Sequence, residues 1–183
     1  SSQHDLSLKH QEWLVKNFDN VEAHTLNLDK LFKTFESTLS NFDSELGMAN
    51  SRARIRMTTL YQVAAANKGI VIGTGNKVED FGVGFYTKYG DGGVDISPIA
   101  DCNKSEVWEI GNSINILQEI IEAAPTDGLW DDGRTDEGQL GLKYEELEEA
   151  MNNVNSINRE KYEKIRKMNL HKMEPIPVCK IPN

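Results

Sequence analysis

Seven of the fourteen glycines fall between Gly73 and Gly93, directly after a run of helix formers over 57–68 and three apolar residues, Ile70, Val71 and Ile72. Glycine admits left-handed backbone and lets a ligand or a second chain segment approach closely. A helix, Gly69 as its C′ residue, a short buried strand over 70–72 and a glycine-rich turn are the grammar of an α/β fold. The pattern predicts two or three parallel strands with covering helices. Between Gly73 and Lys104 little periodicity remains, and a loop that long inside a compact domain is commonly functional.

The flanking sequence fits this reading. Apolar spacing predicts a helix over 7–16, alternation predicts a brief strand over 21–26, and Asn27 reads as the N-cap of a helix carrying Leu28, Leu31, Phe32, Phe35 and Leu39. Further helices are predicted over 105–110 and 114–123. At 183 residues the chain suits one domain, in which about 70% of the unfolded surface can be buried without disulfide staples. A net charge of −9 repels phosphate backbones and disfavours a general nucleic-acid coat. The imbalance is local: 131–149 holds eight acids and two bases, whereas 158–172 holds six bases and two acids. Cys102 and Cys179 are too few for a disulfide framework. No apolar run reaches the roughly 18–20 residues needed to span a bilayer, and the first five residues do not read as a signal peptide. A soluble, cytoplasmic protein is expected.

Several short strings carry chemistry. Arg52 and Arg56 lie one turn apart on a helix while Arg54 points elsewhere; guanidinium forks suit phosphate or carboxylate, and a solvated helix start would look the same. The turn Gly73-Thr74-Gly75 after an apolar strand offers N–H groups and a hydroxyl at a sheet's carboxyl edge, where open α/β sheets bind nucleotides. Glu79 suits a divalent ion bridging phosphates, or is a surface carboxylate. The segment TKYGDGGVD (87–95) sets Lys88, Asp91 and Asp95 among glycines, as a site or a hairpin tip would. Lys104 precedes a helix start, a place that favours anions. The acids of 124–137 suit either a metal or solvent. His4, His10 and His24 have no ligand spacing, and Cys102 reads as a small hydrophobe.

Taken together, the strings ARIRM (53–57), Gly73-Thr74 with Glu79, TKYGDGGVD (87–95), PTDGLW (125–130), TDE (135–137) and His171-Lys172 resemble, in order, those of NAD synthetase. With no room for a glutaminase domain, the resemblance is to the ammonia-dependent form. It implies a Rossmann-like α/β fold with a parallel sheet, of the adenine nucleotide alpha-hydrolase type, and a homodimer. The implied reaction converts deamido-NAD, ATP and ammonia to NAD, AMP and pyrophosphate, with Mg2+ as cofactor. Thr74, Lys104 and Thr126 resemble ATP contacts, Glu79 the metal ligand, and Arg54, Lys88, Asp95, His171 and Lys172 the deamido-NAD contacts. Asp95 and Lys104 are the implied catalytic pair, and the 81–93 and 126–137 segments the implied lids. One departure stands out. The family's Ser-Gly-Gly-x-Asp-Ser pyrophosphate loop is absent, so a single domain over 1–183 lacking the N-terminal strand and loop is expected, either as a segment or as a naturally shortened protein. The alternatives are another AMP-forming ligase of this fold and a non-catalytic dinucleotide-binding protein.

Overall fold

The computed structural model describes residues 2–130 and 132–182. Its helices are α1 (Ser2–Asn17), α2 (Asp29–Thr38), α3 (Glu45–Ala66), α4 (Lys104–Ser113), α5 (Gln118–Ile121), α6 (Asp136–Leu140), α7 (Tyr144–Asn152) and α8 (Arg159–Met173), with a 3-10 turn at Ser40–Phe42. Helix α3 begins well before the predicted 57–68. Ser44 caps it, accepting from the Gly47 N–H at 3.2 Å. Ala49, Ala53 and Met57 recur every four residues as its buried stripe. The small alanines let the 87–93 segment close in: a Cβ on Gly90 would lie 3.0 Å from the Ala53 Cβ. Thr87 then ties the segment to the helix, its hydroxyl donating to Asn50 Oδ1 at 2.7 Å.

Helix α3 ends in a Schellman motif, with Lys68 rather than Gly69 as the left-handed C′ residue (φ 55°). The Lys68 N–H reaches Ala65 O at 3.2 Å and the Gly69 N–H reaches Ala64 O at 2.8 Å. Asn27 also acts one position away from expectation. Leu28 is the cap of α2, while Asn27 Oδ1 accepts from the Asp29 N–H at 2.9 Å.

The predicted strands are the largest discrepancy. Among the described residues no run of strand forms, and a single parallel bridge joins Ile72 to Ile96. The Asp95 N–H donates to Val71 O at 3.0 Å and the Gly73 N–H to Ile96 O at 2.7 Å. Parallel strands are stable when both faces are covered; here Val71 is buried but Ile70 and Ile72 each stand 59% exposed, so pairing stops after one bridge. Residues 21–26 likewise form no strand and are largely exposed. Without a packed face, alternation alone does not make a strand.

Order appears instead where a loop was expected. Lys77–Val83 forms a π-helical turn. Buried Asn76 starts it, its Oδ1 accepting from the Val78 and Glu79 N–H groups, both at 3.0 Å. Left-handed Gly84 ends it. The core sits between this turn and α7 and α8: Val78, Val83, Leu140, Leu142, Tyr144, Leu147, Ala150 and Tyr162, with Trp108 of α4 packed against it. The chain thus winds its helices around the glycine-rich segment that carries the candidate site.

Candidate active site

Glu79 projects from the π-helical turn, and Lys104 from the first position of α4. Their side chains meet at 2.9 Å, each about one-sixth exposed. Tyr144, at the start of α7, brings its hydroxyl to the same Glu79 Oε1 at 2.5 Å and to Asp136 Oδ2 at 3.1 Å. The Lys104 ammonium lies 4.9 Å from the Tyr144 ring centroid. Burial, with Glu79 nearby, raises the Asp136 carboxyl to about 6. Burial together with Glu79 and Asp91 raises Asp80 to about 7. Asp80 is packed so tightly on the preceding turn that a Cβ at Gly75 would fall 1.9 Å from its Oδ2. The helix start beside Lys104 does not face an open anion site. Glu106 already accepts from the Asn103 N–H at 2.7 Å, and Glu148 accepts from the Ser105 N–H at 2.9 Å and its hydroxyl at 2.7 Å.

Mg2+ is commonly held by one or two carboxylates plus substrate phosphates. Among the described residues no three His, Cys, Asp or Glu side chains form a cage. Both protein bonds to Glu79 fall on Oε1, and Asp136 Oδ1 is buried without a partner. This donor set fits an ion shared with phosphates, held by Glu79, and not a self-contained protein site.

Thr74 lies exposed in the turn between Gly73, pinned to Ile96, and Gly75, packed on Asp80. Thr126 is joined to the cluster through its neighbour: the Asp136 N–H donates to Pro125 O at 3.0 Å, while Thr126 Oγ1 accepts from the Gly128 N–H. Asp95 stands at the bridge, where its Oδ2 accepts from the Val71 N–H at 2.8 Å. Glu79 and Lys104 therefore meet directly, Thr126 is linked to them through Asp136 and Tyr144, and Thr74 lies on the turn that leads into Glu79. Asp95 sits one turn away and is engaged with backbone.

The cations assigned to dinucleotide are gathered by the chain's own carbonyls. Arg54 Nε donates to Lys88 O at 3.2 Å, and Lys88 Nζ to His171 O at 2.7 Å. Lys172 Nζ donates to Gly84 O at 2.9 Å and Tyr86 O at 2.8 Å; burial lowers its pKa. Arg166 reaches Phe81 O and Gly82 O, and Asn169 reaches Val83 O at 2.9 Å. Lys172 also lines a cavity of about 120 Å³ with Asn50, Thr87, Asp127 and Trp130. Arg52 and Arg56 do share a face, and it grips a turn: they donate to Leu129 O at 2.8 Å and Gly128 O at 3.3 Å. The two expected lids are accordingly tied down, the 81–86 segment by α8 and the 128–129 turn by α3.

The NAD synthase family profile matches residues 1–181. The chain belongs to the NAD synthase family. An NH(3)-dependent NAD(+) synthetase of Carboxydothermus hydrogenoformans is 40% identical over 139 residues, covering 74% of this chain and 56% of that protein. One from Alkaliphilus metalliredigens is 38% identical over 169 residues, covering 90% and 66%. The chain spans about half the length of the first curated relatives it matches. In three dimensions it resembles an NMN synthetase from Francisella tularensis, with a TM-score of 0.87 and 30% identity over 97% of this chain and 73% of that one. An NH3-dependent NAD synthetase from Campylobacter jejuni, solved with nitrate, shares the fold at a TM-score of 0.66 and 24% identity, over 88% of this chain and 67% of that one. The fold is thus the adenine nucleotide alpha-hydrolase-like one of the NAD synthase family. Sequence spacing does not flag Tyr144 or Glu148, which accompany the cluster by bonding Glu79 and Ser105. Each lies in a run of acids and apolar residues that reads as an ordinary amphipathic helix.

Proposed function

We propose that the protein performs ATP-dependent amidation of deamido-NAD with ammonia, giving NAD, AMP and pyrophosphate. The observation that carries the reading is the Glu79–Lys104 pair, formed across 25 residues of sequence beside a Gly-Thr-Gly turn. Such a pair can open to offer an amine to phosphate and a carboxylate to a cation. A carboxylate is a poor electrophile, so its oxygen first attacks the α-phosphorus of ATP and pyrophosphate leaves. Ammonia then adds to the acyl carbon, loses a proton, and expels AMP. Mg2+ held by Glu79 and the phosphates would supply charge neutralisation at the leaving pyrophosphate.

The chain's own groups do the rest. Lys104 moves from Glu79 to the phosphates, and the Thr74 and Thr126 hydroxyls donate to them. Arg54 keeps four of its five N–H donors for the dinucleotide, and Lys88 and Lys172 offer it a cationic border beside His171. Asp95 orients the substrate or the incoming ammonium. Lys104 and Asp95 are thereby the catalytic pair. The tied 81–86 and 128–129 segments exclude water from the activated acyl group.

The Ile72–Ile96 bridge supports these segments as part of a parallel sheet. Exposed Phe42 and Leu60, beside α2 and on α3, support a homodimer, for which Phe42→Glu should shift sedimentation to the monomer. No described helix is long and apolar enough to cross a membrane, and Cys102 and Cys179 are unpaired, in keeping with a cytoplasmic enzyme.

A second reading has one observation in its favour, the likeness to an NMN synthetase: the acid amidated would then be nicotinate mononucleotide. Pyrophosphate release with ATP, Mg2+, ammonium and each acid separates the two. Deamido-NAD is expected to be the better substrate, and Glu79→Ala to lower its turnover by about 100-fold or more. Preference for the mononucleotide establishes the second reading; no release with either acid refutes both.

A further inference from the structure

We propose that Tyr144 is a positioning residue for the Glu79–Lys104 pair, its hydroxyl and the adjoining Asp136 forming a buried bracket that fixes the Glu79 carboxylate. The inference concerns the site to which the amidation reading assigns phosphate chemistry, and rests on that reading for its catalytic consequence.

The ring of Tyr144 is fixed independently of its oxygen. Its backbone N–H donates to Glu137 Oε1 at 3.0 Å, and its ring meets Trp108 edge-on at 6.1 Å. The side chain is 1% exposed within the cluster of Val78, Leu140 and Leu147. Phenylalanine would satisfy all of this packing. What the oxygen adds is contact with two carboxylates, Glu79 at 2.5 Å and Asp136 at 3.1 Å. The phenol has one proton to give, and the shorter contact gives it to Glu79; a different Glu79 rotamer would forfeit that charge-assisted hydrogen bond beside a tyrosine only 1% exposed, where water is poorly placed to replace it.

Both the Tyr144 hydroxyl and the Lys104 ammonium meet Glu79 at Oε1, and no described residue donates to Oε2. The bracket therefore directs Oε1 inward and leaves Oε2 for a cation. When Lys104 transfers to phosphate, the tyrosine bond remains and keeps Glu79 in place. Asp136 is held in turn: Thr135 caps α6 by accepting from the Gly138 N–H at 3.1 Å, and the Asp136 N–H is bonded to Pro125. The bracket thereby joins the turn bearing Glu79 to the segment bearing Thr126.

Tyr144→Phe removes the oxygen and keeps the ring. Lysine acylation followed by mass spectrometry reads the ion pair without requiring turnover. Lys104 should be acylated about tenfold faster in Tyr144→Phe, as expected for loss of one hydrogen bond to a charged group, while Lys143 and Lys172 keep their rates. Glu79→Gln should raise the Lys104 rate similarly, and the double variant should raise it no further. An unchanged Lys104 rate, or an equal rise at all three lysines, overturns the proposal. In the kinetic arm kcat for pyrophosphate release should fall about tenfold with KM for deamido-NAD nearly unchanged; a loss confined to KM contradicts the role. If the unaltered protein releases no pyrophosphate, the amidation reading fails, while the acylation rates still decide what Tyr144 does.

Discussion

Lys68 bears a local backbone cost, as do the other left-handed non-glycine residues Tyr89 and Asn115. A side chain at φ 55° brings its Cβ against the following carbonyl, at about 1–2 kcal/mol. Lys68→Gly relieves that contact but adds freedom to the unfolded chain. A net gain of about 0.5 kcal/mol is expected in the urea midpoint, and a loss would show that the Lys68 side chain has a stabilising role. Asp80 bears a cost of another kind. Its carboxyl is raised from 3.8 to about 7, and that of Asp136 to about 6, in both cases chiefly by burial. A folded pKa above the unfolded value means that the folded state binds the proton more tightly. The resulting stability is complete below about pH 4 and is lost as pH rises through 6 and 7. Asp80→Asn, which keeps the shape without the charge, should therefore stabilise the protein relative to the unaltered chain at pH 8, with the advantage shrinking as pH falls and gone at about pH 3.5. Equal effects at the two pH values would mean that the Asp80 carboxylate is not held against its charge.

At the scale of elements, the π-helical turn Lys77–Val83 and helix α8 form one unit. The turn's first N–H groups are satisfied by Asn76, and the carbonyls of Phe81, Gly82, Val83 and Gly84 by Arg166, Asn169 and Lys172. Orphan carbonyls at the end of a helical turn need partners, and here a neighbouring basic helix supplies them. Asn76→Ala deprives two N–H groups of their acceptor. It should lower stability by about 1–3 kcal/mol in denaturant titration and disturb Glu79 as well; a change below about 0.5 kcal/mol would indicate that water substitutes freely. This unit also marks where the sequence could be read. Glycines and short polar strings mark the stretch around Thr74, Glu79, Lys104 and Thr126 as a candidate site whatever its detailed backbone, and the structure pairs Glu79 with Lys104. The π turn was not legible, because VEDFGV has neither a period of 3.6 nor one of 2, and its order comes from carbonyl partners some 85 residues away. The strand expected over 21–26 does not form because alternation reports a side chain's preference and not whether a neighbouring strand is present, and over 70–72 pairing is limited to the Ile72–Ile96 bridge. In the basic run of 158–172, Arg159, Lys161, Arg166 and Lys172 all bond backbone carbonyls.

For the molecule as a whole, the acid excess is compatible with the anionic substrates of the proposed reaction because charge is distributed by element. The acids gather over 131–149, where Glu148 and Glu146 cap helices, whereas cations border the glycine-rich turn. In the proposed reaction these elements join an acid to ATP before ammonia arrives. The most direct measurement supplies deamido-NAD with 18O in both carboxylate oxygens and examines the products by mass spectrometry. Attack on the α-phosphorus predicts one 18O in AMP and one in the amide of NAD. Label absent from AMP would contradict the account.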